Sequence, residues 1–256
     1  MKKEMKDFTV IENRRLSPVY SLLKLVPADG AMLPSVRPGQ FVQVAVEGSK
    51  TTFLRRPISI CRADRSVNQL WLLVRLAGEG TAALVGLAAG SRLNLILPLG
   101  NGFPMPGDGR RLLLVGGGVG VAPLLQLGID LVEKGYEPEF LMGARSESDL
   151  LLLDEFRKIG RVHISTDDGS AGQRGVVTLN SEMTAGWDCI YCCGPAPMMK
   201  AVARVAHEAG SKCFVSLENM MACGLGACLC CVEKTVKGNV CVCTEGPVFD
   251  IKDLTW

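Results

Sequence analysis

Six of the eleven cysteines in this 256-residue sequence lie close together near its end, between Cys223 and Cys243. Three of the six, Cys223, Cys228 and Cys231, have the spacing C-x4-C-x2-C. That spacing is typical of plant-type [2Fe–2S] sites, in which four thiolates bind one small inorganic core. The pattern therefore predicts an iron–sulfur cluster, with a fourth cysteine ligand further along the chain.

Cys241 and Cys243 are both candidates for the fourth ligand. If they belong to one strand, side-chain alternation places them on the same face, so the spacing leaves both open. The alternatives to a cluster are a zinc site or a set of inert thiols. Structural zinc commonly uses paired CxxC knuckles or histidine, and neither His163 nor His207 is near these cysteines in the sequence. The pattern favours the cluster and leaves Cys230 as a spare thiol.

A glycine-rich turn, Gly116–Pro123, follows the hydrophobic run Leu112–Val115 and precedes a helical pattern. Backbone N–H groups at the start of a helix can bind a pyrophosphate. The turn reads G-x-G-x-x-P at Gly118, Gly120 and Pro123, whereas the usual dinucleotide fingerprint is G-x-G-x-x-G. It indicates either a nucleotide site or a tight turn between a strand and a helix.

A polar element, Arg55–Ser59, lies between predicted strands of the first hundred residues. Arg56 can make charge-assisted contacts to a diphosphate, and the Ser59 hydroxyl can bond to a ring or phosphate oxygen. By its chemistry alone, an arginine pair beside a turn is more simply explained as solvated surface.

The elements that must position these residues fall into three parts. Up to residue 103, short apolar runs separated by turn signals predict a small antiparallel barrel, interrupted by a helix over 80–87. After it, strands alternate with helices, among them a helix over 149–159, which predicts a doubly wound parallel sheet. The last forty or so residues hold the cysteines and a hairpin turning at 237–239. We therefore expect a multidomain β + α/β protein with three domains, 1–103, 104–215 and 216–256.

The composition argues against several other classes of protein. Hydrophobic residues at 48% and charged residues at 21% are ordinary for a globular protein, and no apolar run approaches the roughly 20 residues that cross a bilayer. A net charge of +2 without an arginine-rich block gives no sign of nucleic acid binding. Because no apolar stretch follows the charged first residues, we expect a cytoplasmic protein with reduced thiols. Four further cysteines are expected to act as small buried hydrophobes: Cys61, Cys189, Cys192 and Cys213.

Taken together and in order, several motifs resemble those of the ferredoxin-NADP reductase superfamily. The matching elements are Arg56-Pro57-x-Ser59, Gly78–Thr81, Pro98–Phe103, Gly118-x-Gly120-x-x-Pro123 and Cys193-Gly194-Pro195. The stretch from Glu218 to Phe249 looks like the electron transfer subunits of NAD-dependent, type 1B dihydroorotate dehydrogenases. The similarity spans roughly residues 8–250.

This resemblance implies a barrel that binds FAD, a sheet domain that binds NAD and a domain with a [2Fe–2S] cluster. It places Arg56 on the FAD pyrophosphate and Ser59 near the isoalloxazine ring. The implied FAD-binding residues are Arg56, Pro57, Ile58, Ser59, Gly80 and Thr81. Gly80 and Thr81 begin the short helix, which agrees with the affinity of helix N-termini for phosphate.

The resemblance also implies the nucleotide and cluster residues. Gly118, Gly120, Pro123, Cys193, Gly194 and Pro195 would frame the nicotinamide nucleotide. The implied cluster ligands are Cys223, Cys228, Cys231 and Cys243, because the last cysteine of the family precedes an acidic-Gly-Pro segment. Asp167–Ser170 also matches the family, where it either touches the NAD ribose or forms a plain Asx-turn.

The function implied is electron transfer in pyrimidine biosynthesis. Dihydroorotate is oxidised in an FMN-containing catalytic subunit, and its electrons pass through the [2Fe–2S] cluster and FAD to NAD+. The family suggests a heterotetramer of two such subunits around a catalytic dimer, and the chain alone is not expected to oxidise dihydroorotate. One alternative is a flavin and iron–sulfur NAD(P)H reductase subunit of the sulfide dehydrogenase or NADH-ferredoxin type. Another is a zinc-stabilised binding module without activity.

Overall fold

The N-terminal part of the chain is a closed antiparallel barrel in a computed structural model that describes residues 2–49 and 51–256. Its strands are β1 (Glu4–Ser17), β2 (Tyr20–Pro27), β3 (Phe41–Val44), β4 (Arg56–Asp64), β5 (Gln69–Arg75) and β6 (Arg92–Leu99). They follow the order β1-β2-β5-β4-β3-β6 around the barrel. The short helix α1 (Glu79–Val85) packs on it through Leu84 and Val85. The barrel expected from the sequence is confirmed.

Strand β3 shows how the barrel is built and what covers it. Val42 and Val44 belong to the apolar core inside the barrel. Gln43 lies between them, so strand alternation directs its side chain to the outer face. That outer face is also buried, since Phe41 and Gln43 are both almost completely shielded from solvent. The rest of the chain therefore packs against the outside of β3.

Arg56–Asp64 forms a strand, whereas the sequence had suggested a connection between strands at Arg55–Ser59. The segment pairs with β3 in antiparallel register, with Gln43 opposite Pro57 and Phe41 opposite Ser59. Two arginines and a proline make this segment hard to recognise as a strand from its sequence, because proline lacks the N–H that a strand normally donates.

The middle of the chain forms the second sheet. Its strands are β7 (Leu112–Gly117), β8 (Pro138–Ala144), β9 (Arg161–Thr166), β10 (Gln173–Arg174), β11 (Cys189–Cys193) and β12 (Lys212–Ser216). The helices along it are α2 (Val121–Glu133), α3 (Leu153–Arg157) and α4 (Ala196–Glu208). The strands are parallel, and every residue of β7 is buried, as a central strand requires. The doubly wound sheet is confirmed, but α3 is much shorter than the helix predicted over 149–159.

The last part of the chain is integrated with the second sheet. It contains the hairpin β13 (Val232–Thr235) and β14 (Gly238–Cys241), one turn of helix α5 (Val242–Glu245) and a final strand, β15 (Val248–Asp250). Strand β15 was not predicted, and it joins the sheet antiparallel to β12, giving the order β10-β9-β8-β7-β11-β12-β15. One apolar cluster combines residues from all three parts of the chain, among them Phe41, Val115 and Cys231.

Cys241 and Cys243 do not share one face of a strand, so that expectation is wrong. Cys241 ends β14, and the chain then turns into α5, which begins where Val242 N donates to Cys231 O at 3.0 Å. The hairpin itself turns at 236–237, whereas the sequence predicted 237–239, and Thr235 lies opposite Gly238. Within the described ranges, no helix has the length and apolar character needed to cross a membrane.

Candidate functional site

A crevice opens at the carboxyl ends of β7 and β11. Strand β7 lies between β8 and β11, so the chain winds outward from β7 in both directions. Nucleotides bind at such switch points in open α/β sheets. The crevice holds a cavity of about 620 Å³, and its lining includes Tyr20 and Arg75 of the barrel as well as residues of the sheet. The cavity therefore lies between the barrel and the sheet.

Two glycine motifs from distant parts of the sequence touch in this crevice. A Cβ atom built on Gly120 would overlap the Cys193 carbonyl group and lie 2.6 Å from the Cα of Gly194. Gly118 has a φ of +54°, in the left-handed region that favours glycine. The glycines thus allow backbone N–H groups to reach the cavity wall at the helix start.

The structure divides the predicted nucleotide residues into two groups. Gly118, Gly120, Gly194 and Pro195 line the cavity. Pro123, in the first turn of α2, and Cys193 are buried. The first group is placed to contact a ligand, whereas the second holds the two backbone turns in position.

Glu218 also lines the crevice, two residues after the end of β12, although the sequence alone gave it no role. The loss of contact with water beside the surrounding protein raises the pKa of this carboxyl, and the positive charge of the nearby Arg75 opposes the increase. Its position after the carboxyl end of a parallel strand is the signal that points to it, because ligands bind at that edge.

The Asp167–Ser170 segment forms the Asx-turn that the sequence allowed. Asp168 Oδ1 accepts hydrogen bonds from Ser170 N at 2.9 Å and from Ser170 Oγ at 2.7 Å. These bonds lower the pKa of Asp168. Asp167 lines the cavity, so the turn presents one carboxylate to it.

Arg56 carries a buried donor without a partner. Its Nε atom is shielded from solvent and has no hydrogen bond among the described residues. A Cβ atom on Gly80 would lie 2.5 Å from this Nε, so the guanidinium passes directly over the start of α1. An unpaired buried guanidinium nitrogen suits an anionic oxygen. The structure thus brings two motifs of the predicted FAD site together.

The other predicted FAD residues have different surroundings. Pro57, Ile58 and Ser59 are half-buried along β4, and Ile58 packs against the barrel core. The Thr81 hydroxyl is engaged within the helix start, where it accepts from Ala77 N at 2.8 Å. Its side chain therefore shapes the turn at the start of α1.

A hydrogen bond ties β4 to the nucleotide crevice. Ala63 N of β4 donates to Gln126 Oε1 of α2 at 2.7 Å, and Gln126 Nε2 donates to Asp130 at 2.6 Å. Helix α2 begins at the glycine turn. The predicted flavin strand and the nucleotide crevice therefore have a fixed relative position.

The four predicted cluster ligands differ in exposure. Cys231 and Cys243 are buried, Cys223 is half-buried and Cys228 is exposed. Cys243 N donates to Cys231 Sγ at 3.4 Å, and burial beside Cys231 raises the pKa of Cys243 to about 12. Leu225 N donates to Cys223 Sγ at 3.3 Å, and such bonds lower the pKa of Cys223 to about 6. Amide groups of the loop thus face sulfur, as in a site for a thiolate-bound metal centre.

In a tetrahedral zinc site with Zn–S bonds of about 2.3 Å, all four sulfur atoms lie close to one another. Across residues 2–49 and 51–256, the only three ligand atoms of His, Cys, Asp or Glu that all lie within 4.8 Å of one another belong to Glu139, His163 and Glu182. The cysteine sulfurs therefore do not form the compact set that a zinc site needs.

Residues 217–231 between β12 and β13 form the cysteine loop, which packs against the barrel on one side and α5 on the other. Gly224 has a φ of +68°, and a Cβ atom there would lie 2.7 Å from Gln43 Nε2. A Cβ atom on Gly226 would lie 2.8 Å from Thr244 Cγ2. Both glycines are needed because the backbone approaches its neighbours too closely for a side chain.

Asn101 holds the turn that follows Cys243. Its Nδ2 donates to the Thr244 and Glu245 carbonyl oxygens at 2.9 and 3.0 Å, and its backbone N donates to Gly246 O at 2.6 Å. The sequence of Pro98–Phe103 predicts a turn after a barrel strand and gives no sign that this turn lies at the cysteines. Its partners lie more than a hundred residues away in the chain, and no local pattern reveals them.

Four of the remaining cysteines are buried, as expected. Cys61, Cys189, Cys192 and Cys213 are buried, and burial raises the pKa of each thiol, for Cys61 to about 12. Cys230 is exposed, and its Sγ contacts Met220 O at 3.6 Å. The buried four are neutral apolar groups at neutral pH.

Comparison with solved structures defines the class of this protein. The structure resembles that of an NADH-dependent reduced ferredoxin-NADP oxidoreductase, described in work on flavin-based electron bifurcation, with a TM-score of 0.85 and 27% identity over 97% of this chain and 90% of the other. It also resembles an Amycolatopsis cytochrome P450 reductase, with a TM-score of 0.69 and 27% identity over 81% and 66% of the two chains. The chain is an NAD-linked oxidoreductase subunit with the fold of flavin-dependent ferredoxin-NADP reductases.

Sequence comparison defines the family. An oxidoreductase NAD-binding domain matches residues 114–204, and an iron–sulfur cluster binding domain of dihydroorotate dehydrogenase B matches residues 218–255. An electron transfer subunit of NAD+-dependent dihydroorotate dehydrogenase B from Shouchella clausii is 40% identical over 85% of this chain and 86% of its own length. Its counterpart from Fusobacterium nucleatum is 36% identical over 98% of both chains. The chain belongs to this family of electron transfer subunits, as the resemblance predicted.

Proposed function

We propose that this chain passes electrons from a partner that oxidises dihydroorotate to NAD+, with a [2Fe–2S] cluster and FAD as carriers, in pyrimidine biosynthesis. The observation that carries this proposal is the contact between the cysteine loop and the barrel. Gly224 packs on Gln43 of β3, and Gln43 lies opposite Pro57 in the predicted flavin strand. Neighbouring strands are about 4.8 Å apart, so the two sites are close enough for electron transfer.

Arg56 and Gly80 are the residues best suited to the FAD diphosphate. The unpaired Arg56 Nε would donate to a phosphate oxygen, and Gly80 leaves the space in which the two groups meet. Pro57, Ile58, Ser59 and Thr81 would complete the site along β4 and the start of α1. Bound FAD supplies the change between one-electron and two-electron chemistry.

The crevice between β7 and β11 would hold the nicotinamide nucleotide. Gly118 and Gly120 would present backbone N–H groups to its pyrophosphate, and Gly194 and Pro195 would support the nicotinamide half. Pro123 and Cys193 would keep these turns in place from behind. Because barrel residues also line the cavity, a nucleotide there would lie beside the flavin domain.

Cys223, Cys228, Cys231 and Cys243 would bind the cluster. The thiols of Cys241 and Cys243 both lie beside Cys231, and we favour Cys243 because it is buried, whereas Cys241 is half-buried and Cys230 is exposed. The amide that reaches Cys223 Sγ would stabilise a negatively charged sulfur ligand.

The cysteine loop also offers a surface for the catalytic partner. Met220, Leu225 and Leu229 are 85%, 43% and 64% exposed beside the exposed Cys228. Apolar side chains in solvent mark interaction sites when they occur together. We infer an FMN-containing dihydroorotate dehydrogenase subunit as partner, in a cytoplasmic heterotetramer with two copies of each chain. The domains would be 1–103 for FAD, 104–215 for NAD and 216–256 for the cluster.

A reconstitution experiment tests the proposal. Purified full-length chain should contain iron, sulfide and FAD, and should oxidise NADH with an artificial acceptor. Dihydroorotate should reduce NAD+ only after the FMN-containing subunit is added. A chain with zinc and no visible absorption would support the binding module instead. Activity restored by a sulfide dehydrogenase or ferredoxin partner, and not by the dihydroorotate enzyme, would support the other reductase.

A further inference from the structure

Gln43 carries a carboxamide that is fully buried and has no hydrogen-bond partner. The residue has 0% exposure, and neither its Nε2 nor its Oε1 is bonded among the described residues. Burial of an amide without a partner is unfavourable, so such groups are rare in native proteins and call for an explanation. A group that binds next to Gln43 would supply the missing partner.

The direction of the Gln43 side chain is fixed by its strand. Val42 and Val44 on either side pack inside the barrel, so Gln43 projects from the outer face. Arg55 Nη1 donates to the Gln43 carbonyl oxygen at 3.2 Å and to Asn94 O at 2.9 Å, which holds the backbone at this point. Because the backbone is held and the side chain is fully buried, the Gln43 carboxamide has little freedom to find another partner.

The amide lies against the cysteine loop. The position of a Cβ atom on Gly224 is 2.7 Å from Gln43 Nε2 and 2.7 Å from Gln43 Cγ. Gly224 directly follows Cys223 in the chain. On the other side, Gln43 is opposite Pro57, which has no N–H group and an apolar ring. The nearest place for a polar partner is thus on the side of the cysteines.

We propose that Gln43 Nε2 donates a hydrogen bond to a sulfur atom of the cluster that the Cys223 loop binds. This inference rests on the proposed function, because it needs the cluster. Hydrogen bonds to cluster sulfurs stabilise the reduced, more negative form and raise the reduction potential. Through this hydrogen bond Gln43 links the barrel to the cluster. It also raises the reduction potential of the cluster, from which electrons pass to the flavin.

The test compares variants of the full-length chain loaded with iron, sulfide and FAD. Gln43→Met keeps a long unbranched side chain without the N–H donor, and Gln43→Leu is a second variant if the first folds poorly. Ser21→Ala is the matched control, because Ser21 Oγ is also buried without a partner but lies on β2, which does not pair with β3. The cluster potential is measured by redox titration with electron paramagnetic resonance of the reduced cluster.

We expect Gln43→Met to lower the reduction potential of the cluster by about 59 mV. At a fixed solution potential, this shift lowers the ratio of reduced to oxidised cluster about tenfold for a one-electron couple. The flavin potential should not change, and Ser21→Ala should change neither. In cluster-free protein, Gln43→Met should raise the midpoint of thermal unfolding, because it removes an unpaired buried amide. In loaded protein this gain should disappear.

Three results would overturn the assignment. If the cluster potential is unchanged in a loaded Gln43→Met variant, the Gln43 carboxamide does not donate a hydrogen bond to a cluster sulfur. A shift of the flavin potential alone would place its partner on the isoalloxazine ring. If wild-type chain takes up neither iron nor sulfide, the proposed function fails and the Gln43 inference fails with it, whereas the first two results leave the proposed function intact.

Discussion

The nucleotide crevice and the cysteine loop are built in different ways. In the crevice, a strand, a glycine turn and a helix follow one another in the sequence, and the sheet brings the second turn at Gly194 next to the first. The cysteine loop depends on Gln43 and Asn101, which belong to another part of the chain. The glycine turns of the first site are a property of the α/β fold, although barrel residues also line its cavity, whereas the second site takes contacts from three parts of the chain. Variants at the two sites should therefore fail in different ways.

The largest effect should come from Cys243. Cys243→Ser should lose the cluster almost completely, because Cys243 is the buried one of the two thiols beside Cys231, whereas Cys241→Ser should keep it. Iron and sulfide content and the visible spectrum of the purified variants provide the measurement. Equal loss of iron in both variants would show that the fourth ligand is wrongly assigned.

Gly120→Ala should damage the crevice and leave the cysteine loop intact. The new methyl group would overlap the Cys193 carbonyl, which pushes the two turns apart. We expect affinity for NADH to fall about 100-fold, equivalent to about 2.7 kcal/mol. Binding is measured by calorimetry, with FAD and iron content as internal controls. A parallel loss of iron would mean that the two sites are less independent than their construction suggests.

Arg56→Ala should weaken FAD binding by about 10-fold to 100-fold, because one charge-assisted hydrogen bond contributes about 1.5–3 kcal/mol. The flavin-free protein should keep its stability, since Arg56 Nε has no partner there. Arg55→Ala is the control. Arg55 bonds to the Asn94 and Gln43 carbonyls, so its loss should lower stability more than FAD affinity. Flavin fluorescence during dilution and urea unfolding separate the two effects, and normal FAD retention in Arg56→Ala would exclude the diphosphate contact.

Asn101→Ala should reduce the free energy of unfolding by about 1–2 kcal/mol, because two side-chain hydrogen bonds to backbone carbonyls are lost. It should also make the cluster easier to remove with a chelator, since those bonds hold the turn after Cys243. Asn13→Ala is a matched control, because Asn13 also donates twice, to the Val85 and Leu87 carbonyls. The control should lose similar stability and release iron at the wild-type rate. Equal rates of iron release in the two variants would show that Asn101 does not support the cluster site.

The smallest effect concerns Glu218. Its pKa is raised above the ordinary value of 4.5, so the folded state holds this proton more tightly than the unfolded state. Stability should therefore decrease as the pH rises through and above 4.5, and Glu218→Gln should reduce that slope. The change is small because the side chain reaches solvent in the crevice. Urea unfolding of cofactor-free protein at several pH values measures it, and an identical slope in the variant would contradict the raised pKa.

Local patterns in the sequence account for most of the fold. Short apolar runs between turn signals revealed most barrel strands, and the run Leu112–Val115 with its glycine turn revealed the start of the second sheet. The failures share a cause: Arg56–Asp64 and β15 are strands because of their neighbours, and their own composition is ambiguous. Periodicity also misplaced Cys241 and Cys243, because the contact of Val242 with Cys231 starts a helical turn there. Gln43 was missed since its partner loop is remote in the chain.

Strand β15 has a consequence for how the protein is made. It completes the edge of the sheet beside β12 and comes just after the turn that carries Cys243. Until these residues have been synthesised, the chain lacks both that edge and the proposed fourth cluster ligand. Because synthesis runs from the amino end, the barrel and the other six strands of the sheet are made first, and complete binding of the cluster has to follow them.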